Sequence, residues 1–550
     1  MRKVLVLGGD ERSFLAVVRS LGRRGIAVHV GWCPPDALAR RSRYVTRAHD
    51  LPPWRPGDAA WRDALVALLR AERFDLVVPT SDPTLIPLQR ARAVLEPLAR
   101  CYVLGERAFE VAFDKGKSRA LAASLGIPVP REEAFATPVD PGAVLARFRP
   151  PVVLKPRASF AGDDLARKRF VHVARDPAAL ARCLRAFADQ PDVLVQEHVA
   201  GVGAGVELLA HEGRVLAAFQ HLRVHEPRTG GGSSYRTSVA LDPALRDAAA
   251  KLMAALDYTG VAMVEFRGEP VRGTWTFLEI NGRFWGSLPL AVAAGADFPY
   301  WLYQLLVEGR RDFPPTYRTG LYCRNWTRDL RWLADNLRAP RGTRAPLVRV
   351  LAEGARVLVG RERSDTLVAD DPRPGVAEAA RLAARAVRAL GARLAARGPL
   401  RRLAVARARR ALGRARYVLF VCKGNICRSP FAAAWARTVL APDVRVASAG
   451  YHPRAGRAAP REAVEAAREH GIELAAHRST VVDAELLRAA DAVFVFDDEN
   501  ARTLAARFAF VRPKLHRLAP GGIADPYGGT LDDFRAAYAA IRRALERLAP

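Results

Sequence analysis

The chain has 550 residues, of which 50% are hydrophobic and 26% are charged. This composition is typical of globular domains, and the length allows three or four of them, which argues against a disordered or fibrous protein. The formal net charge is +29, yet only eight of the 86 basic residues are lysines. Because this Arg bias is general, it indicates base composition of the genome and does not predict a nucleic-acid partner.

The six cysteines lack the spacing of a disulfide framework, since only Cys422 and Cys427 lie close together. No secretory signal is predicted, because the apolar run Val4–Leu7 ends at once in Gly8-Gly9. No apolar stretch has the length needed to cross a bilayer. These features predict a cytoplasmic protein with reduced thiols.

The first 105 residues alternate between strand and helix patterns. A helix is predicted over 13–24, and buried strands are predicted for Val4–Leu7, Val28–Val30, Asp75–Pro79 and Tyr102–Leu104. This alternation predicts a Rossmann-like open sheet. The segment around Gly8-Gly9 lacks the full Gly-x-Gly-x-x-Gly pattern, so no dinucleotide site is predicted.

Charged side chains end several predicted strands between residues 106 and 310. Lys155 ends one strand, Gln196 and Glu197 end another, and Lys115 lies at the start of a helix. Glu279 and Asn281 are two residues apart on one strand and therefore point to the same face. Glu265 on a neighbouring strand can join them. Two carboxylates and an amide oxygen are hard ligands that suit Mg²⁺ together with nucleotide phosphates.

This succession resembles the ATP-grasp superfamily, and in particular its carbamoyl-phosphate-synthase-like branch of carboxylate–amine ligases. The resemblance implies ATP and Mg²⁺ as cofactors and a small carboxylate and an amine as substrates. By resemblance, Lys115 and Lys155 contact the phosphates, Gln196 and Glu197 lie at the adenine hinge, and Arg283 stabilises the transferring phosphoryl or acyl-phosphate charge. The resemblance assigns magnesium to Glu265, Glu279 and Asn281.

Two loops leave alternatives open. The loop Ser159–Asp163 has one glycine, whereas the phosphate-covering loop of the family is glycine-rich. This difference leaves turnover of ATP open but does not affect the expectation that ATP binds. The cluster Thr229–Arg236 is either a plain flexible loop or lines the acceptor pocket with Arg223 and Arg228. The ATP-grasp half is accordingly interpreted either as a ligase or as a non-catalytic nucleotide or metabolite sensor that regulates the rest of the chain.

Residues 311–415 are predicted to form a basic helical connector. An aromatic and leucine stripe that begins at Tyr322 and includes Trp326 predicts an amphipathic helix, and 376–415 predict two Ala/Leu/Arg helices broken at Gly398-Pro399. Glu378 is the only acidic residue opposing the arginines there. Such a run is either a solvated linker or a surface for peripheral contact with anionic membrane lipids.

Residues 421–430 contain a complete set of groups for phosphate chemistry. Five apolar residues before Cys422 predict a strand, and Ser429-Pro430 begins a predicted helix. A loop in this setting directs backbone N–H groups and the positive helix end at one point, which binds phosphate and favours a thiolate. Arg428 offers a planar pair of donors, Asn425 can fix the loop, and Ser429 can donate to the sulfur.

This stretch resembles the signature of the low-molecular-weight protein tyrosine phosphatases: Cys, five residues, Arg, then Ser. The resemblance implies that Cys422 is the nucleophile, that Arg428 binds the phosphoryl group and that Asp525 is the general acid and later the base. It implies a phosphotyrosine protein as substrate and no cofactor for this domain. It extends over about 416–550 through Ser448-Ala449-Gly450, His477-Arg478-Ser479 and Asp525-Pro526-Tyr527.

Two other interpretations of this domain are weaker. The Cys422 and Cys427 pair resembles half of a zinc site, but no second ligand cluster follows. Arsenate reductases share the fold by resemblance, but they need further cysteines, and none follows Cys427.

The sequence therefore predicts a multidomain α/β protein that is bifunctional, with a phosphatase activity that passes through a phosphocysteine and an ATP-dependent activity that activates a carboxylate as acyl phosphate. The predicted parts are a Rossmann-like pre-ATP-grasp domain (1–105), an ATP-grasp α+β domain (106–310), a basic helical connector (311–415) and a phosphatase domain with a four-stranded parallel sheet (416–550).

Overall fold

The computed structural model describes residues 2–161, 164–187, 190–227, 232–339, 344–395, 399–529 and 531–549. The chain forms two compact units, Met1–Leu382 and Ala383–Pro550. The first unit contains three main sheets and the second contains one.

The first sheet of unit 1 is parallel and has the order β3-β2-β1-β4. Its central strand is buried on both faces, because Val4 and Val6 pack into one apolar cluster while Leu5 and Leu7 pack into another. Its strands are β1 (Lys3–Leu7), β2 (Ala27–Gly31), β3 (Val45–His49) and β4 (Leu76–Pro79), and its helices are α1 (Arg12–Arg23), α2 (Ala60–Ala71), α3 (Asp82–Arg90) and α4 (Arg92–Leu95).

The Rossmann-like prediction is confirmed for this sheet, with one local correction. Tyr102–Leu104 form no strand, and Cys101 makes only an isolated parallel bridge to Val77. Tyr102 is instead drawn toward the next sheet, because its hydroxyl donates to the carbonyl of Val261 and accepts from the amide of the same residue. The amide of Tyr102 still donates to the carbonyl of Val77 at 2.9 Å, so pairing with β4 reaches Tyr102 and ends there, while the phenol is fixed by its two hydrogen bonds in the next sheet.

The second sheet is antiparallel, with the order β5-β10-β6-β9. Lys155 ends β6, and Gln196 and Glu197 end β10, as the sequence predicts. The elements of this region are α5 (Glu106–Phe113), α6 (Lys115–Ser124), β5 (Glu132–Ala136), α7 (Pro141–Leu145), β6 (Val152–Lys155), the hairpin β7 (Phe160–Ala161) and β8 (Asp164–Lys168), β9 (His172–Ala174), α8 (Pro177–Arg185) and β10 (Asp192–Glu197).

The third sheet has seven strands in the order β15-β14-β11-β12-β13-β16-β17. All neighbouring strands are antiparallel except β16 and β17, and helices cover the buried face. The elements are β11 (Val202–His211), β12 (Arg214–His225), β13 (Tyr235–Val239), α9 (Pro243–Ala255), β14 (Gly260–Glu269), β15 (Thr274–Asn281), α10 (Leu288–Ala294), α11 (Phe298–Glu308), β16 (Tyr322–Arg324), α12 (Trp326–Arg338), α13 (Leu347–Ala355) and β17 (Glu362–Ser364).

The segment 311–415 is divided between the two units. Its first part adds β16 and β17 to the large sheet, so the interpretation of Tyr322 as a helical residue was wrong. Asp371 then ties the chain to α1 through a buried ion pair of 2.9 Å with Arg19 and a hydrogen bond of 2.7 Å from Ser42. The division between the units falls within helix α14 (Arg373–Ala395).

Unit 2 contains the predicted four-stranded parallel sheet, with the order β19-β18-β20-β21. Its central strand β18 is buried along its whole length, which positions the loop that follows it. The elements are α15 (Pro399–Arg414), β18 (Tyr417–Cys422), α16 (Arg428–Val439), β19 (Arg445–Gly450), α17 (Arg461–Arg468), α18 (Ala484–Ala489), β20 (Ala492–Val495), α19 (Asp498–Arg507), β21 (Leu515–Arg517) and α20 (Leu531–Leu548).

Helix α15 packs on this domain as part of its core. Ala408 and Leu412 are almost fully buried in the same apolar cluster as Phe431 and Tyr538. Among the described residues, no helix is both long enough and apolar enough to cross a membrane.

Candidate functional site

The loop between β18 and α16 is held by Asn425. This residue is fully buried and has a left-handed backbone with φ of 51°. Its side chain donates to the hydroxyls of Ser429 and Ser448, both at 2.9 Å, and accepts from the amide of Thr480 at 2.7 Å. Its carbonyl lies 2.7 Å from Nε2 of His477. A left-handed non-glycine residue is strained, so this network keeps the loop in a conformation that it would otherwise leave.

The sulfur of Cys422 lies inside this loop. The amide of Asn425 donates to Sγ at 3.3 Å, and Oγ of Ser429 lies 3.1 Å from Sγ. Only 3% of Cys422 is exposed. The sulfur therefore lies at the start of a helix, where backbone amides of the same loop can bind a phosphate group next to it.

Arg428 is buried beside the thiol and carries two carboxylate partners. Nη1 donates to Asp497 at 2.6 Å and Nη2 donates to Asp525 at 2.7 Å. Burial alone would lower the pKa of Arg428, but the charges of Asp525 and Asp497 raise it above its ordinary value, so the guanidinium stays charged. Its Nε is buried and has no partner among the described residues. A buried unsatisfied donor is costly, and a phosphate oxygen would satisfy it.

Asp525 lies at the mouth of this pocket. Its side chain is 37% exposed, and one oxygen accepts from Arg428 while the other accepts from the amide of Tyr527. The ring of Tyr527 is 62% exposed. Asp525 therefore combines access to solvent with a fixed orientation, which a group that transfers protons needs.

Two further groups lie at this site, and of these Asp497 was not assigned a role from the sequence. Asp497, which follows β20, holds Arg428, and its only signal in the sequence was its place after an apolar strand, since the pairing of β20 with β18 is seen only in the structure. Cys427 is buried, and burial raises the pKa of its thiol, with the charge of Cys422 adding to the shift. Cys427 is therefore a poor nucleophile.

In unit 1, the three predicted metal ligands converge. Glu265 and Glu279 are directly opposite each other on β14 and β15. Nδ2 of Asn281 lies 3.1 Å from a Glu265 oxygen and 3.5 Å from a Glu279 oxygen. Like charges at opposed positions repel each other, and a cation between them would remove that cost. The described residues contain no cluster of three His, Cys, Asp or Glu side chains suited to a metal, and the amide nitrogen of Asn281, not its oxygen, faces the two carboxylates.

Both predicted phosphate-binding lysines lie beside these carboxylates. Lys115 Nζ is 3.8 Å from a Glu279 oxygen. Burial lowers the pKa of Lys155 despite the neighbouring charge of Glu279, and Lys115 lowers it further. Burial alone would raise the pKa of Glu279, but Lys115 and Lys155 lower it below its ordinary value. Two cations and two anions in a buried cluster fit a magnesium nucleotide, which carries both signs of charge.

The remaining predicted ATP residues lie at the end of β10 in the second sheet and after the end of β15. Gln196 is buried between strands of the second sheet, and Glu197 accepts from the amide of Arg131 at 2.8 Å where β10 ends. Arg283 donates to Asp82 at 2.8 Å, which joins the end of β15 to helix α3. Arg228 of the second glycine cluster, together with 229–231 and 162–163 of the other loop, lies outside the described residues.

Two glycines of the large sheet leave room for side chains that cross strand β11. Strand β11 carries Gly203 and Gly205, and a Cβ there would lie 2.6 Å from Arg223 Cδ and 2.3 Å from His221 Cε1, respectively. Without these side chains, Arg223 extends across β11 and ion-pairs with Glu265. The sequence suggested Arg223 for the acceptor pocket. The alternating glycines of β11 indicated that a side chain from a neighbouring strand could cross β11, as Arg223 does to reach Glu265.

Comparison with known proteins divides the chain in the same way. Residues 417–550 match the family model described as low molecular weight phosphotyrosine protein phosphatase. A protein-arginine-phosphatase of Geobacillus stearothermophilus is 37% identical over 24% of this chain and 93% of its own length. The low molecular weight protein-tyrosine-phosphatase Etp of Escherichia coli is 34% identical over 24% of this chain and 91% of its own length.

The chain belongs to the low-molecular-weight phosphatase family. The phosphatase domain is one part of it, because residues 189–328 match the model described as ATP-grasp in the biosynthetic pathway with Ter operon. The solved structure of an L-amino acid ligase from Bacillus licheniformis is 18% identical over 58% of this chain and 78% of its own, with a TM-score of 0.45. The two family models show that one chain joins a phosphatase domain of the low-molecular-weight type to a region of the ATP-grasp type.

Proposed function

We propose that the phosphatase domain hydrolyses phosphotyrosine in proteins through a phosphocysteine. The observation that carries this proposal is the buried Arg428, which has an unsatisfied Nε beside the Cys422 sulfur and a hydrogen bond to Asp525. A donor, a nucleophile and a carboxyl group that meet at one pocket are the groups that phosphate-ester hydrolysis requires.

In the first step the Cys422 thiolate attacks phosphorus, and the S–P bond forms as the bond from phosphorus to the phenolic oxygen breaks. Asp525 gives its proton to that oxygen, so the leaving group departs as a neutral phenol. In the second step a water molecule attacks the phosphorus of the phosphocysteine, and Asp525 takes a proton from that water. The S–P bond breaks, the thiolate is restored with a hydrogen bond from Ser429, and Arg428 holds the phosphoryl oxygens throughout.

The test is hydrolysis of an aryl phosphate between about pH 5 and 8. Cys422→Ser should lower kcat on the order of 10⁴-fold or more, and Asp525→Asn should lower it by about 10² to 10⁴. Cys183→Ser, a thiol in unit 1, is the matched control and should retain full activity. Activity that survives in Cys422→Ser would exclude the proposed nucleophile.

We propose further that the ATP-grasp domain binds ATP and Mg²⁺ and ligates a small carboxylate to an amine. ATP with Mg²⁺ would supply the phosphoryl group that activates the carboxylate. Glu265, Glu279 and Asn281 would hold the metal, and Lys115 and Lys155 would neutralise the phosphates. Gln196 and Glu197 would contact the adenine, while Arg283 and Arg223 would pair with negative charge on the activated carboxylate.

The alternative is a sensor that binds nucleotide without turnover. The ion pairs from Arg223 to Glu265 and from Arg283 to Asp82 favour it, since both arginines already have partners. ATP consumption that requires both a carboxylate and an amine, and that is lost in Glu279→Gln, would support the ligase. Glu269→Gln, at the exposed end of β14, is the control. Tight binding of MgATP without consumption under all conditions would support the sensor.

The proposed bounds of the parts stay at 1–105, 106–310, 311–415 and 416–550, with β16 and β17 of the third part completing the large sheet. We place the protein in the cytoplasm, because a catalytic thiolate needs reducing conditions; all six cysteines of the chain are free thiols in the structure. Peripheral contact of the arginine-rich helices with anionic lipid stays a proposal, which sedimentation with anionic liposomes would test.

A further inference from the structure

A loop from the end of β19 covers one side of the phosphatase pocket. Directly after the nucleophile, the carbonyl of Lys423 accepts from the amide of His452 at 2.8 Å. The amide of Arg454 donates to Nδ1 of His452 at 3.2 Å. A Cβ built on Gly424 would lie 3.3 Å from Nη1 of Arg457, so this guanidinium lies against the phosphate loop. Lys423, Arg454 and Arg457 form what we term the cationic rim.

The cationic rim has no neutralising partner. Among the described residues, no carboxylate lies within ion-pair distance of any of its three side chains, although many arginines of this chain are paired. Lys423 and Arg454 are exposed and Arg457 is half-buried. Burial lowers the pKa of His452, and the charges of the rim lower it further. The neutral imidazole is therefore favoured, and it does not offset the positive charge of the rim.

The acids on the other side of the pocket are bound to arginines of their own, and Asp497, Asp525 and Arg428 together leave one negative charge against the three positive charges of the rim. Asp497 and Asp525 are both hydrogen-bonded to Arg428, and Asp498 is paired with Arg517 at 2.9 Å. A substrate that approaches the pocket therefore meets an uncompensated positive surface next to the phosphate loop. Such a surface attracts anionic partners, raises their association rate and repels cationic ones.

We propose that the cationic rim selects phosphotyrosine within an acidic protein segment and disfavours phosphoarginine. This inference rests on the proposed phosphatase function and names its substrate class. In a phosphotyrosine segment, neighbouring Asp or Glu side chains can pair with Lys423, Arg454 and Arg457. In phosphoarginine the leaving group is itself a guanidinium, which the rim would repel as the phosphate enters. Both substrates need to be compared, because the proteins similar to this domain include a protein-arginine-phosphatase and a protein-tyrosine-phosphatase.

The experiment compares kcat/KM of the full-length protein for four substrates. Three are phosphotyrosine peptides that differ only in flanking residues, which are acidic, uncharged or lysine, and the fourth is a phosphoarginine peptide. A small aryl phosphate is measured in parallel. At about 20 mM salt the acidic peptide should exceed the uncharged one by roughly tenfold, through KM and not kcat. At about 300 mM salt the difference should largely disappear because the rim is screened.

Variants assign the preference to the rim. Lys423→Ala and Arg454→Ala should each reduce the ratio between acidic and uncharged peptides, and Arg454→Glu should reverse it in favour of the lysine peptide. Arg454→Lys should keep the ratio, since the charge is retained. Arg543→Ala, which removes an exposed arginine of α20, is the matched control and should leave the ratio unchanged.

The outcomes separate the two proposals. Equal kcat/KM for acidic and uncharged peptides, or a higher value for the phosphoarginine peptide, in a protein that hydrolyses the aryl phosphate would overturn the rim proposal alone. Absence of hydrolysis for every substrate would overturn the proposed phosphatase function and the rim proposal with it.

Discussion

At the scale of single residues, Asn425 combines a backbone role with a side-chain role. Its left-handed φ gives the loop its shape, and its amide group reaches Ser429, Ser448 and Thr480. Glycine could supply the first role without the second, because it adopts positive φ freely. A pair of substitutions at this position can therefore measure the two contributions separately.

We predict that Asn425→Ala lowers both stability and catalysis. It loses the side-chain network and keeps the strain, so the free energy of unfolding of the phosphatase domain should fall by about 2 to 4 kcal/mol. Asn425→Gly should recover part of that stability without recovering kcat, since Ser429 would still lack its partner. The measurements are urea unfolding and aryl phosphate hydrolysis. Lower stability of Asn425→Gly than of Asn425→Ala would contradict the prediction, because the relief of strain would then be smaller than the entropic cost of glycine.

At the scale of elements, helix α15 belongs physically to the phosphatase domain although it precedes the residues that match the family. We predict that Leu412→Ala destabilises unit 2 by about 2 to 5 kcal/mol, because it leaves a cavity at a side chain that is 2% exposed. Leu403→Ala on the same helix is the control, since Leu403 is 67% exposed, and it should change stability little. Similar effects of the two variants in urea unfolding would mean that α15 does not pack in solution.

A buried histidine network joins β12 of the large sheet to α12 and α13. His225 lies 2.8 Å from Asp329 through Nδ1 and 2.8 Å from Glu353 through Nε2, and its ring stacks on Trp332. Burial alone would lower the pKa of His225, but the hydrogen bonds to the two carboxylates raise it above its ordinary value. Because the pKa of His225 is higher in the folded unit than in the unfolded chain, protonation of His225 stabilises the folded state.

We predict that unit 1 loses stability as pH rises above about 6.5, the ordinary pKa of histidine. A raised folded-state pKa means that this contribution is complete below that pH and is lost as pH rises through the folded value. Chemical unfolding at several pH values between about 6 and 9 should show this slope, and His225→Gln should flatten it. The same slope in the variant would assign the dependence to other groups.

Prediction from sequence succeeded where function and fold are both local. Cys422, Asn425, Arg428 and Ser429 lie within eight residues, so their meeting follows from one strand, one loop and one helix. Glu265 and Glu279 lie on strands joined by a short connection, and their predicted proximity is confirmed by the register. The alternation of strand and helix patterns likewise predicted the parallel sheet of residues 1–105, whereas the parallel sheet of unit 2 was predicted from the family resemblance.

Prediction failed where long-range contacts decide. The three-residue strand β16 contains Tyr322, whose aromatic character fitted the helical stripe beside it, and only pairing with β13 makes it a strand. The segment Tyr102–Leu104 has a strand pattern, but the Tyr102 hydroxyl binds Val261 in another sheet. Asp497 as a partner of Arg428 required knowing which strands are neighbours.

At the scale of the whole molecule, the net charge of +29 does not show which positive side chains are free to bind a partner. Many arginines are neutralised locally, as Arg19 is by Asp371 and Arg428 is by Asp497 and Asp525. The charge available to a partner is therefore concentrated where pairing is missing, as at the cationic rim. Total charge alone would predict nonspecific binding of polyanions, whereas the distribution of paired and unpaired groups predicts a directed interaction.

The two units have separate cores and separate sites, which makes the two activities separable by mutation. Cys422→Ser should abolish aryl phosphatase activity while leaving MgATP binding unchanged, because it removes one sulfur within unit 2. Glu279→Gln should weaken MgATP binding, because a carboxylate beside Lys115 and Lys155 is lost, and should leave phosphatase activity without nucleotide unchanged. Titration with MgATP then decides between the two interpretations of the ATP-grasp domain. A sensor requires that MgATP change phosphatase kcat or KM in the wild type and not in Glu279→Gln, whereas an independent ligase leaves both values constant in both proteins.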